Sequence, residues 1–172
     1  NPRMANYRVY RYRLEGIEFW KYPGDVFLEW LEIFEGTYDA TNFARLEEGK
    51  NPLRTIISCK PWIVDGRVVG FEIIGEAFLW NQVRRTAMAL HKMCIGELEP
   101  KDVISAKLNP QIEYDFGVAP ADWLILWGVD WDEMPLPDSL TEIRGFSAPP
   151  QGPDVERTMR KRWREGARHE MK

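Results

Sequence analysis

The chain has 172 residues, 44% hydrophobic and 29% charged, the proportions of one soluble globular domain rather than of a disordered chain. No apolar run approaches the roughly 18 residues of a membrane span. Two cysteines far apart imply neither a disulfide framework nor a zinc site, and two histidines cannot supply a His-based metal cage alone. The net charge of −4 is unevenly spread. Residues 1–13 hold Arg3, Arg8, Arg11 and Arg13 and no acid, and residues 154–172 hold seven bases against four acids. Local basic surfaces on an acidic body are expected. The chain opens with Asn1 rather than Met and is expected to be processed or a portion of something longer.

Residues 7–14 alternate aromatic and cationic side chains and predict a strand, with Arg8, Tyr10, Tyr12 and Leu14 on one face and Tyr7, Val9, Arg11 and Arg13 on the other. Residues 25–35 predict a helix, with Val26, Phe27, Trp30, Leu31 and Phe34 as its apolar stripe, Asp25 as cap and Gly36 as stop. Residues 37–52 read as a polar loop. Two β-rich runs, 53–64 and 67–78, flank Asp65-Gly66, which suits the positive φ angles of a two-residue hairpin turn. A helix over 79–95 follows, with Leu79, Val83, Ala87, Leu90 and Cys94 on one face, and Gly96 ends it. A shorter helix, 101–108, lies between Pro100 and Pro110, and 123–132 read as a largely buried strand. Prolines 135, 137, 149, 150 and 153 make 133–153 a linker, and 154–172 predict a basic helical tail. The fold expected is α+β, with a mixed or mainly antiparallel sheet and helices on one face.

Standard nucleophile, phosphate-loop and zinc signatures are absent. Cys94 lies on an apolar helix face beside His91 and reads as a buried structural thiol. Three features point elsewhere. Arg8-Val9-Tyr10-Arg11-Tyr12 sets phenols among guanidiniums, a platform suited to a nucleobase beside its phosphates. Arg84 and Arg85 stand early in a helix, where the dipole gives a cation nothing; Arg84, at i+4 from Trp80 on the edge of the apolar stripe, calls for an anion. Arg54-Thr55-Ile56 places a further cation just after Pro52.

In this order the blocks resemble the C-terminal part of the TruA family of tRNA pseudouridine synthases. They are Arg8-Val9-Tyr10-Arg11-Tyr12; Phe34-Glu35-Gly36-Thr37-Tyr38-Asp39-Ala40-Thr41-Asn42-Phe43; Arg54-Thr55-Ile56; Phe78 through Val83-Arg84; and Pro120-Ala121-Asp122-Trp123-Leu124 continuing to Trp131. Residues 1–132 are thereby expected to form the C-terminal part of a pseudouridine synthase catalytic domain.

The resemblance implies that Tyr10 packs against the target base, that Arg84 pairs with the nucleophilic aspartate, and that Leu124 lines the pocket. Arg8, Arg11, Arg54, Trp80 and Asn81 become candidates for RNA contact. The implied reaction isomerises uridine to pseudouridine in the tRNA anticodon stem-loop, at tRNA positions 38–40, without cofactor or metal. The implied partners are tRNA, a second copy of the chain in a homodimer, and the N-terminal half of the same enzyme; reduced thiols suit a cytoplasm, and no membrane partner is expected.

The family's G-R-T-D-x-G segment, which carries the nucleophile, does not occur here, because Gly66-Arg67 continues as Val68-Val69. Asp39 and Asp130 occupy other motif positions, and Tyr38 and Ala40 replace the usual His and Phe. The isolated chain is therefore expected to be inactive. The alternative is a non-catalytic RNA-binding or dimerisation module on the same scaffold.

Overall fold

The structure, a computed structural model, describes residues 5–14 and 24–130. Arg3, the Pro-rich stretch 133–153, the basic tail 154–172 and the side chain of Asp25 lie outside the described residues. Among the described residues, five strands and three α-helices follow in the order β1 (Tyr7–Arg13), α1 (Gly24–Glu32), β2 (Gly36–Asp39), β3 (Leu53–Val64), β4 (Arg67–Gly75), α2 (Gln82–Ile95), α3 (Pro100–Leu108) and β5 (Leu124–Asp130). They form one sheet in the order β2-β3-β4-β1-β5, with each neighbouring pair antiparallel. This is the α+β class that the sequence predicts.

The hairpin between β3 and β4 turns at Asp65 and Gly66, whose φ angles of 49° and 73° meet the turn's requirement. Elsewhere the boundaries move. β2 forms inside the expected polar loop, because Gly36 through Asp39 pair with Ile56 through Leu53. β4 ends at Gly75 and α2 begins only at Gln82, so residues 76–81 run as an irregular link. β5 is only partly covered, and Leu126 is 49% exposed.

One sheet face carries Tyr12, Leu14, Cys59, Phe71 and Ile73 into a core shared with Phe27, Trp30 and Leu31 of α1 and Val83, Ala87, Leu90 and Cys94 of α2. The predicted α2 stripe is therefore the buried one. Gly70 is required at the β1–β4 contact: a Cβ there would stand 1.9 Å from the Tyr12 carbonyl oxygen. Gly96 closes α2 at φ 76°, its N–H donating to the carbonyls of Lys92 and Met93.

The opposite sheet face is held by a cation stack. The Arg11 Nε donates to Glu72 Oε2 at 2.6 Å, and its guanidinium lies 3.7 Å from the Trp127 ring centre and 5.2 Å from that of Trp62. Arg13 lies 5.5 Å from the same Trp62 ring and is buried. The β1–β5 register slips between Val9, opposite Gly128, and Tyr10, opposite Leu126, which leaves Trp127 as the extra residue.

The loop after α3 is fixed by one side chain. Asn42 Nδ2 donates to the carbonyls of Ala106 (3.0 Å) and Ile112 (2.9 Å), and its Oδ1 accepts from the Tyr114 N–H (3.1 Å). The carboxamide is buried, so these bonds replace the water that the backbone groups would otherwise need.

Candidate active site

The site is built where β4 ends and residues 76–81 cross back to α2. Arg8 and Tyr10 face the same side of β1, opposite Gly75 and Ile73. The Arg8 Nη1 donates to the Glu76 carbonyl at 2.6 Å. The Tyr10 ring meets Phe78 edge to face, with centroids 5.2 Å apart and planes at 87°. Gly75 makes this contact available, since a Cβ there would come within 2.9 Å of Phe78 Cζ and 3.0 Å of the Thr55 carbonyl oxygen. Burial pushes the Tyr10 phenol above its ordinary value and the Arg8 charge pulls it partly back. At neutral pH the group is a protonated, half-buried hydroxyl on a flat ring.

Three residues beyond Phe78, Asn81 adopts a left-handed backbone at φ 61° and immediately precedes α2. Gln82 locks the turn: its Oε1 accepts from the Leu79 N–H at 2.9 Å, and its N–H returns to the Leu79 carbonyl at 3.1 Å. Asn81 Oδ1 accepts from Arg84 Nη1 at 3.0 Å, and Arg84 Nε donates to the Ala119 carbonyl at 2.6 Å. These two neutral acceptors orient the half-buried guanidinium. Ala119 also donates its N–H to the Arg84 carbonyl at 3.1 Å, and the buried Tyr12 hydroxyl donates to the Pro120 carbonyl at 2.8 Å. That pair of contacts seats the start of β5, where Leu124 stands opposite Tyr12 and packs against the core.

The remaining candidates separate. Trp80 is 54% exposed, with the Arg45 guanidinium 4.5 Å from its ring centre. Arg54 folds back on the carbonyls of Asn51 and Leu53 at the sheet end from which residues 76–81 depart. Arg11 lies on the reverse face, held by Glu72, Trp62 and Trp127, and does not join Tyr10. Arg85 diverges from Arg84 and bonds Asp115 at 2.9 Å beside a cleft of about 320 Å³. Cys59 and Cys94 are buried, their thiols pushed well up by burial, that of Cys94 to about 12. They are not nucleophiles at neutral pH.

A family model described as tRNA pseudouridine synthase matches residues 31–132. The chain belongs to this family. It is similar to curated members called tRNA pseudouridine synthase A: the protein of Thermococcus gammatolerans is 38% identical over 137 residues, covering 78% of this chain and 49% of that protein. The protein of Methanoculleus marisnigri is 36% identical over 126 residues (72% and 43%), and that of Thermococcus sibiricus 36% over 135 residues (77% and 48%). The chain spans about half the length of the curated relatives it matches.

Within this pseudouridine synthase domain, the departures from the family pattern are interior. Tyr38 is buried and meets Phe43 edge to face at 5.8 Å, and Ala40 is fully buried. Sequence reasoning missed Arg45 and Ala119. Ala119 acts through its backbone and leaves no side-chain signal. Arg45 reaches the site through a β-bridge to Trp80, its N–H donating to the Trp80 carbonyl at 2.8 Å. A bridge between residues 35 apart leaves no periodic pattern. Among the described residues no helix is long and apolar enough to cross a membrane.

Proposed function

We propose that this chain supplies the base-packing and cationic side of the active site of a tRNA pseudouridine synthase that acts on the anticodon stem-loop. The observation that carries the reading is the short segment 78–81. At one end Phe78 holds the Tyr10 ring, and at the other Asn81 holds the Arg84 guanidinium. A flat, protonated phenol gives an extruded uracil a surface to lie against, since chemistry on a base requires its removal from the stack. A guanidinium held in place by these bonds keeps a neighbouring carboxylate ionised for attack. Leu124, seated beside Tyr12, supplies apolar lining.

The reaction is an isomerisation and balances within the substrate. The bond from C1′ to N1 of the uracil breaks, the ring turns, and a bond from C1′ to C5 forms. C5 gives up its proton and N1 gains one, with no net oxidation. The nucleophilic aspartate comes from a segment outside this chain, in keeping with the half-length match to the curated relatives. The protein works as a cytoplasmic homodimer with tRNA as substrate, and this chain without the aspartate segment is inactive. The test joins the chain to its aspartate-bearing half and measures pseudouridine in a tRNA anticodon stem-loop transcript. Product that disappears with Arg84→Ala supports the reading. A wild-type protein that binds the transcript and makes no pseudouridine overturns it in favour of a binding module.

A further inference from the structure

The stacked pair of Arg45 and Trp80 has no role in the chemistry above and is not explained by packing. A tryptophan has a large apolar ring, and leaving it 54% exposed while a guanidinium lies on it sacrifices burial. Its position is also fixed by the backbone. The Arg45 N–H donates to the Trp80 carbonyl, forming an isolated antiparallel bridge that ties residue 45 to the irregular link. Trp80 is two residues from Phe78, hence within about 7 Å along the backbone, and it directly precedes Asn81. Trp80 thus lies on the same short link whose ends contact Tyr10 through Phe78 and Arg84 through Asn81.

We propose that Arg45 and Trp80 form a nucleotide-stacking clamp for the RNA strand beside the target uridine. One unpaired base stacks on the exposed indole, and the Arg45 guanidinium meets its phosphate. A guanidinium lying over an aromatic ring is a pairing that single-strand binders use for sequence-tolerant grip. Its planar fork of donors suits phosphate oxygens. The clamp rests on the reading of the chain as an RNA-modifying domain. It adds to that reading a subsite whose occupant is a neighbouring nucleotide rather than the reacting one.

The experiment uses the full-length protein and a tRNA anticodon stem-loop transcript, with binding measured by fluorescence anisotropy at several salt concentrations and pseudouridine measured in parallel. Trp80→Ala is expected to weaken binding about 10-fold, the loss typical of one stacked base, and to raise KM more than it lowers kcat. Trp80→Phe should restore most of the affinity. Arg45→Ala should reduce the salt dependence of binding by about one ion, with Arg45→Lys retaining part of it. Wild-type affinity in both Trp80→Ala and Arg45→Ala overturns the clamp. If Trp80→Ala does not fold, Trp80→Leu, which keeps apolar bulk without an aromatic face, takes its place, and wild-type affinity in it and in Arg45→Ala overturns the clamp. A variant that loses self-association in sedimentation while binding RNA as wild type also overturns it, because the patch is then a protein contact. Binding is read separately from product. A protein that makes pseudouridine but ignores these substitutions sinks the clamp alone, and one that grips RNA through them without making pseudouridine sinks the isomerase reading alone.

Discussion

Phe78 stands edge-on to Tyr10 at 5.2 Å because Gly75 leaves its ring room to fold back over the sheet. The orientation of the aromatic platform therefore depends on the absence of one methyl group. Gly75→Ala places that methyl against both a ring carbon and the backbone oxygen of Thr55, and only the ring can move. The variant is expected to lose about 1–3 kcal/mol of stability by overpacking, read by denaturant unfolding. It should also lose pseudouridine formation by more than that destabilisation explains. Phe78→Leu, which removes the edge-to-face pair but keeps apolar bulk, should reproduce the activity defect with a smaller stability loss.

Arg84 and Asn81 separate charge from orientation. Arg84→Ala should reduce pseudouridine formation by at least about 10²-fold, the scale of removing one preorganised electrostatic group. Asn81→Gly keeps the left-handed backbone and removes the side chain, and with it the Oδ1 acceptor. Asn81→Ala deletes the acceptor and adds roughly 1–2 kcal/mol of backbone strain. Equal activity losses in the two variants, with a lower melting temperature only in the alanine, would identify the hydrogen bond as what matters for turnover.

Asn42 holds three backbone groups through one buried carboxamide. Asn42→Ala leaves them unmatched, at about 1–3 kcal/mol for each that water cannot reach. The expected outcome is a loss on the order of 3 kcal/mol, together with faster hydrogen exchange confined to residues 109–115. Asn42→Asp keeps the acceptor for Tyr114 but loses the two donations, and should fall between.

His91 gives a pH dependence with a defined sign. Burial, reinforced by the neighbouring Lys92 charge, pushes its folded-state pKa down to about 4 from an ordinary 6.5. The unfolded chain then binds a proton that the folded chain refuses between those values. This contribution to stability is fully present above pH 6.5 and is lost as the pH falls toward 4. It amounts to on the order of 3 kcal/mol, since a tenfold change in proton affinity corresponds to about 1.4 kcal/mol. Urea melts at pH 7 and pH 4.5 should differ in midpoint, and His91→Gln should flatten that difference.

What the sequence made legible is what local physics decides. Asp65-Gly66 announces its turn because few other pairs accept two positive φ angles, and the spacing of Val83, Ala87, Leu90 and Cys94 marks a buried helix face whatever lies opposite. Long-range pairing is less visible. Nothing near Thr37 and Tyr38 indicates that Thr55 and Arg54 will draw them into β2. Leu79 continues the apolar stripe of α2 and so predicts an earlier start; the left-handed Asn81 overrides that periodicity. Arg13 falls on a face that alternation makes polar, and the Trp62 ring covering it comes from a strand some 50 residues away. Among the site candidates, Tyr10, Trp80, Asn81 and Arg84 meet around one short link, whereas Arg11 turns its back on them.

That reversed arginine has a structural consequence for β1. Side chains along a strand alternate, so sliding β1 by one position against its neighbours would carry Tyr10 to the far side of the sheet and bring a guanidinium in its place. Set against two neighbouring indoles and tied to Glu72, Arg11 acts as a peg that fits only one hole. An insertion or deletion within β5, by shifting Trp127, would loosen that peg and misplace a ring on the other side of the sheet without touching it.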